Sequence, residues 1–220
     1  MVIRRAECNG RLFPAANRRE LLEAIMRTMP FASFARMMSD GERRLRFPDL
    51  NGVVSTQDLT IEQDEIDDFD IADAQNPLSS VTIQFADTGR AGIDSSYTWP
   101  IRQREGVDTP ALGYIKARFG DTENKLTIQA PLIDSKYQAA YLAWCLYTAS
   151  HAQDVRIDIG PVNKYADVGD IVRLKVPNRN VDIRMLVEAQ TVADDMHQRI
   201  VGIRITDYMG AWPVVQRVDT

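Results

Sequence analysis

Cysteine and histidine are nearly missing from this chain of 220 residues, with two of each: Cys8 and Cys145, His151 and His197. Two cysteines so far apart make neither a disulfide framework nor a tetrahedral zinc site. Cys145 falls inside the apolar run Tyr141-Leu142-Ala143-Trp144-Cys145-Leu146-Tyr147, where a free thiol behaves as a small, buried, inert hydrophobe. His151 closes a predicted helix, where an imidazolium suits the C-terminal dipole, and reads as structural or surface. His197 lies in or beside a predicted hairpin turn and reads as an exposed turn residue. Neither stands in a Cys-His, His-Glu-x-x-His or Ser-His-Asp context, and Gly-x-Ser-x-Gly is absent. Phosphate-cradling motifs are missing as well: no Gly-rich loop runs into Lys-Ser/Thr, and no Gly-x-Gly-x-x-Gly follows a strand. No catalytic residue, metal ligand set or cofactor site is assigned, and an enzyme is not expected. No apolar run approaches the roughly 20 residues of a membrane helix. The opening Met1-Val2-Ile3-Arg4-Arg5 lacks a signal peptide's apolar core, so the chain is expected to have no membrane segment and to be made in the cytoplasm.

What is present is ordinary globular material. The hydrophobic content is 45%, charged residues make up 26% and mean hydropathy is -0.27, which excludes wholesale disorder and fibrous repeats. The length suits one or two domains. The net charge of -5 is uneven, since Met1 to Leu50 carry ten Lys/Arg against six Asp/Glu, and the remainder sixteen against twenty-five. An acidic bulk surface argues against tight wrapping of nucleic acid, which needs clustered cations. Arg43, Arg44 and Arg46 fit a strand's solvent face better than a nucleic-acid patch.

Periodicity predicts a mainly β fold with a few helices. Asn17-Arg18-Arg19-Glu20 is a capping box ahead of a helix through Met29 that Pro30 ends. Arg43 to Phe47 and Ser79 to Phe85 alternate as strands. A Gly- and Asp-rich stretch near 87–122 reads as a long loop or insertion. Lys125 to Ala130 is a strand, followed by a helix near 134–149 capped by Asp134. Its side bearing Tyr137, Tyr141, Leu142, Cys145 and Leu146 is expected to dock on the strand Val155 to Ile159. Another strand runs from Ile171 to Val176. Ile183 to Val192 and Ile200 to Tyr208 form a hairpin through Ala193-Asp194-Asp195-Met196.

Glu62, Asp64, Glu65, Asp67, Asp68, Asp70 and Asp73 put seven carboxylates into twelve residues without one Lys or Arg. A calcium loop usually contains a glycine and none occurs there. Acids this close in sequence do not imply two carboxyls facing one sugar. A solvated surface and a negative lining in an assembly both account for the cluster, with metal binding and catalysis less so.

Several patterns in order resemble the central tail hub, or tip attachment, proteins of long-tailed bacteriophages. They are Glu7-Cys8-Asn9-Gly10 with the helix Arg18 to Met29, Asp40-Gly41-Glu42-Arg43-Arg44-Leu45-Arg46-Phe47, and a strand pair at Ile66 to Ile71 and Asn76 to Asp87. A third unit runs from Pro131-Leu132-Ile133-Asp134 through the helix and the Val155 strand to Val168-Gly169-Asp170-Ile171-Val172. The resemblance implies a small α+β hub domain at 1–75 and a tail-tube-like β-sandwich or barrel domain at 76–220, without enzymatic activity. It further implies a structural protein of the virion tail tip, forming a homotrimeric ring that closes or extends the tube. The implied neighbours are tube or distal tail proteins, tip or fibre proteins and a second hub chain if the hub is split, with phage DNA passing transiently. The seven acids are then candidates to face the lumen, where like charge keeps a polyanion from adhering. Typical hubs are far longer, so a split hub or fragment is expected. The alternatives from other classes are a tail-associated cell-wall hydrolase module and a ligand- or partner-binding β domain of a cell.

Overall fold

A computed structural model describes residues 25–26, 28–31, 33–36, 43–46, 59–74, 77–86, 94–99, 124–161 and 165–205. Most of them lie in strands, with one long helix, so the fold is mainly β with an α+β element. In chain order the strands are β1 (Ser33–Arg36), β2 (Arg43–Arg46), β3 (Leu59–Glu62), β4 (Ile66–Ala72), β5 (Ser80–Ala86), β6 (Asp94–Trp99), β7 (Lys125–Ala130), β8 (Asp154–Ile159), β9 (Ile171–Val176), β10 (Val181–Val192) and β11 (Gln198–Ile205). Helix α1 spans Lys136–Ser150 between β7 and β8.

Among the described residues the chain forms two compact units, one of residues 76–150 together with those before 31, the other of residues 31–75 and 151–205. The strands after 150 share a sheet with β3 and β4, not with β5 to β7. The expected strand pair at 66–71 and 76–87 is therefore not a pair: β4 hydrogen-bonds to β8, and β5 to β6 and β7.

In one unit six strands run in the order β3-β9-β10-β11-β8-β4. The sheet is curled, and the chain shows why. Six strands laid flat span about 24 Å, at ~4.8 Å per spacing. Yet the two edge strands are joined only by the 3-10 turn Gln63–Glu65, and four residue steps reach at most about 14 Å. Strict alternation puts Val155, Ile157 and Ile159, with Val172, Leu174 and Val176, on the enclosed face. Met185, Val187 and Ile200 join them, as does Ile61 from the far edge. Each such side chain contributes about 1.5–3 kcal/mol on burial. The Val168-Gly169-Asp170 signature is a turn. Gly169 has φ 89°, the Asp170 carboxylate accepts from the Asp167 amide at 2.8 Å, and the Asp170 carbonyl accepts from Val187 at 2.9 Å. The β10–β11 hairpin turns where expected, with the Ala193 amide donating to the His197 carbonyl at 2.8 Å and Met196 at φ 69°. Separately, β1 and β2 form a two-stranded antiparallel ribbon.

In the other unit β5 is flanked by antiparallel β6 and parallel β7, and α1 packs on this sheet. Ala139, Leu142, Ala143 and Tyr147 of α1 meet Val81, Ile83, Phe85 and Tyr97. Two expectations are thereby corrected. The helix docks here and not on the Val155–Ile159 strand, because it is buried nearly all round and no single apolar side could reveal its partner. Its cap is Ser135, whose hydroxyl accepts from the Tyr137 amide at 3.3 Å, and Tyr137 points outward at 64% exposure. A third correction is β6, which lies inside the stretch read as a loop. Asp94 to Trp99 holds only two aromatics among small polar residues, too few for a periodicity signal. The helix expected before Pro30 and the hairpin's end at 206–208 lie largely or wholly outside the described residues.

Candidate functional site

The seven acids occupy the edge-to-edge link of the curled sheet. Glu62 ends β3, Asp64 and Glu65 form the turn, Asp67, Asp68 and Asp70 lie along β4, and Asp73 follows it. Glu65 folds back as a cap, its carboxylate accepting from the Glu62 amide at 2.9 Å. The β4 pairing with β8 slips between Ile66 and Asp68, making Asp67 a bulge residue. That slip lets Ile66 and Phe69, three apart, both pack on the core while Asp68 and Asp70 face out. A regular strand would have turned one of the two apolar residues to water.

Across the sheet the acids meet cations that are distant in sequence. Glu62 lies 3.7 Å from Lys175, its register partner on β9. Asp68 lies 3.3 Å from Arg156. Asp67 lies 3.4 Å from His197 Nε2, while His197 Nδ1 stands 2.9 Å from Asp195, off the line of a linear hydrogen bond. Asp73 accepts from the Gln153 amide group at 3.2 Å. Arg156 is also the register partner of Asp70.

The same outer face carries further rungs of alternating sign. Arg199 grips Asp158 through two bonds of 2.7 and 3.1 Å, and Arg173 grips Asp182 at 2.7 and 2.6 Å. These guanidinium bonds hold the Asp158 and Asp182 carboxyls below the usual carboxylate range, and Asp158 in turn raises Arg199. The His197 ring 2.9 Å away, and the His197 amide donating at 3.3 Å, lower Asp195 likewise. Exposed pairs of this kind contribute only about 0–1 kcal/mol each. Their main effect is to interleave charge, and the field of the acidic segment is partly cancelled by Arg156 and Lys175, which lie 88 positions from Asp68 and 113 from Glu62 in sequence. The alternation Arg156/Asp158, Arg173/Lys175 and Asp182/Arg184 was the sequence signal for it.

The sequence pattern gave no hint of a buried polar clasp behind the hairpin. Gln198, 2% exposed, donates to the Ala166 carbonyl at 2.8 Å and accepts from the Ala166 amide at 3.4 Å. Its amide also donates to Gln190 Oε1, and Gln190 donates to buried Asp167 at 3.3 Å. Elsewhere burial pushes the Cys145 thiol up to about 12, so it stays protonated and a poor nucleophile. Among the described residues no group of three His, Cys, Asp or Glu side chains is arranged to hold a metal ion.

No protein-family model matches the sequence, and no curated protein matches it. Solved structures do match in fold. A chain of the virion of the native gene transfer agent particle superposes with a TM-score of 0.57 at 14% identity, over 89% of this chain and 40% of that one. A tail protein from Neisseria meningitidis MC58 gives 0.48 at 12% identity, over 88% and 54%. The 43 kDa tail protein of prophage MuSo2 from Shewanella oneidensis gives 0.45 at 14% identity, over 91% and 56%. The fold is thus shared with a chain of a virion, and this chain spans 40–56% of the length of these structures.

Proposed function

We propose that this chain is a structural protein of a phage tail tip, contributing hub domains to a homotrimeric ring that closes or extends the tail tube and connects it to tip or fibre proteins. The observation that carries the reading is the fold shared with a gene transfer agent virion chain over 89% of this sequence. The described structure is compatible with it. The sheets have open edges among the described residues, and heterologous contacts between such edges close into a ring when the rotation permits. In this reading the segment Glu62 to Asp73 faces the lumen or its entrance, where three copies present DNA with carboxylates. The partial pairing with Arg156, Lys175 and His197 lowers that field without cancelling it.

Reconstruction of assembled particles tests the assignment. Three copies around the tail axis support it; a single copy or a dimer at this position removes it. The lumen claim is tested separately by changing Asp64, Asp67, Asp68 and Asp70 to Asn. Folding should stay nearly intact, because exposed pairs contribute little. DNA ejection kinetics should change, less so at high salt as the screening length falls to about 3 Å at 1 M. Acids on the outer rim would leave ejection unaltered and remove the lumen claim alone.

A further inference from the structure

The tip of the β10–β11 hairpin is fastened to the β4 edge by one titratable ring. His197 lies between two carboxylates, with Asp195 of its own turn 2.9 Å from Nδ1 and Asp67 3.4 Å from Nε2. Asp67 is free to take this position because it is the bulge residue, outside the ladder with β8. Gly160 lies beside it, at a distance where even a Cβ would make only ordinary contact with the Asp67 carboxylate oxygens, at 3.6 Å. The turn that His197 closes carries Met196 at φ 69° and 50% exposure.

We propose that His197 is a pH-responsive latch, closed on Asp67 and Asp195 when the imidazole is protonated and released from Asp67 when it is neutral. A neutral imidazole carries no charge and so pairs with neither carboxylate as an ion; an imidazolium, with an N–H on each nitrogen, attracts both at 2.9 and 3.4 Å. Histidine is the side chain whose ordinary titration falls between pH 5 and 8, while aspartates stay ionised there. Among the described residues the surrounding titratable and charged groups are Asp194 and Asp195 on the turn, and Asp67 and Asp68 on β4. The Asp158–Arg199 rung joins β8 to β11, and Tyr165, whose hydroxyl meets Met196 Sδ at 3.8 Å, lies on the preceding loop. The two carboxylates in contact with the ring favour its protonation, and Arg199, the cation of this set, is itself paired with Asp158. The latch does not depend on the functional reading above.

The test is amide exchange in the full chain, with the Met196 methyl as an NMR reporter. After correction for intrinsic rates, protection of the Ala193 and Met196 amides should rise about two- to fivefold from pH 8 to pH 5, the range expected for exposed ion pairs. The Met196 methyl should shift along the same curve as the His197 ring proton. His197→Gln and Asp67→Asn should each flatten both responses, with core methyl shifts unchanged to show that the fold persists. A flat wild-type profile overturns the latch. So does an unchanged response in His197→Gln, which would trace it to another group such as Glu188, whose carboxyl burial raises. A response that survives Asp67→Asn and vanishes in Asp195→Asn reduces the ring to a turn contact and also overturns it.

Discussion

Gly202→Ala should be among the most damaging single-methyl changes available in this chain. Gly202 sits on β11 opposite Val187, where the β10 register slips before Ala189. A Cβ built there meets the Leu186 carbonyl oxygen at 2.0 Å and its carbon at 2.9 Å, with the Met185 Sδ-bound methyl at 3.0 Å. The first two are backbone atoms in the middle of the sheet, so relief requires moving β10 against β11 and not merely a rotamer change. Overpacking of this kind costs about 1–3 kcal/mol, and more when backbone must shift, so about 3 kcal/mol or above is expected. At roughly 2–4 °C per kcal/mol for a chain of this size, the melting midpoint should fall by about 6–12 °C. Gly160→Ala is the internal control, because its Cβ would make only ordinary contact at 3.6 Å with Asp67 and should move the midpoint little. Thermal and urea unfolding of both variants, followed by far-UV circular dichroism, decide the matter. Equal midpoints for Gly202→Ala and Gly160→Ala would refute the claim that the β10–β11 crossing leaves no room for a side chain.

Leu142→Ala empties part of the core between α1 and the three-stranded sheet, where Leu142 is 2% exposed, and should cost about 2–5 kcal/mol in urea unfolding; an unchanged midpoint would mean the helix does not dock through this residue. Gln198→Leu keeps volume but strands the Ala166 amide and carbonyl and the side chain of Gln190. It should cost about 1–3 kcal/mol, read as a lower unfolding midpoint and faster exchange of the Ala166 amide. Asp158 and Asp182 have folded values below the ordinary carboxylate value of about 4. Their contribution is therefore present above that pH and lost as pH falls through the depressed folded values. Replacing both Arg199 and Arg173 by Met should flatten the acid arm of stability against pH below about 4, and an arm of unchanged slope would show that these rungs do not contribute to it.

Much of the fold was legible where one face of a strand is wet. Val155-Arg156-Ile157-Asp158-Ile159 and Ile171 to Val176 alternate because the sheet buries one side only, and the hairpin at 193–197 announces itself by its acids. Legibility ended where that asymmetry fails. Helix α1 is enclosed on nearly every side, so composition revealed a helix and not its partner. Strand β6 turns Ser95, Tyr97 and Trp99 to one face and exposed Ser96 and Thr98 to the other, a sequence that turns also use. The acidic cluster was visible as a cluster, yet its compensation was not, because Arg156, Lys175 and His197 reach it only through strand order. Gln198 was invisible for the opposite reason: a glutamine in a strand normally faces water, and here the preceding loop folds over it.

The excursion of the chain from 76 to 150 has a bearing on how the protein comes into being. Its ends are stitched within each unit: Ala72 pairs with Asp154 and Asp73 with Gln153 on one side, and the Leu78 amide donates to the Ser150 hydroxyl at 3.1 Å on the other. Strands β5 to β7 and α1 all come from one uninterrupted stretch and can close on themselves as soon as they leave the ribosome. Strands β3 and β4 emerge earlier but have no partner until β8 to β11 are made, some 80 residues later. At about 5–20 residues per second, that leaves β4 waiting for several seconds with Ile66, Phe69 and Ile71 uncovered. The aspartates interspersed at 67, 68 and 70 keep this apolar segment charged throughout the wait, which is when an edge strand is most prone to pair with the wrong chain. The same carboxylates would thus act in time as well as in space, guarding a nascent strand before they have any finished surface to decorate.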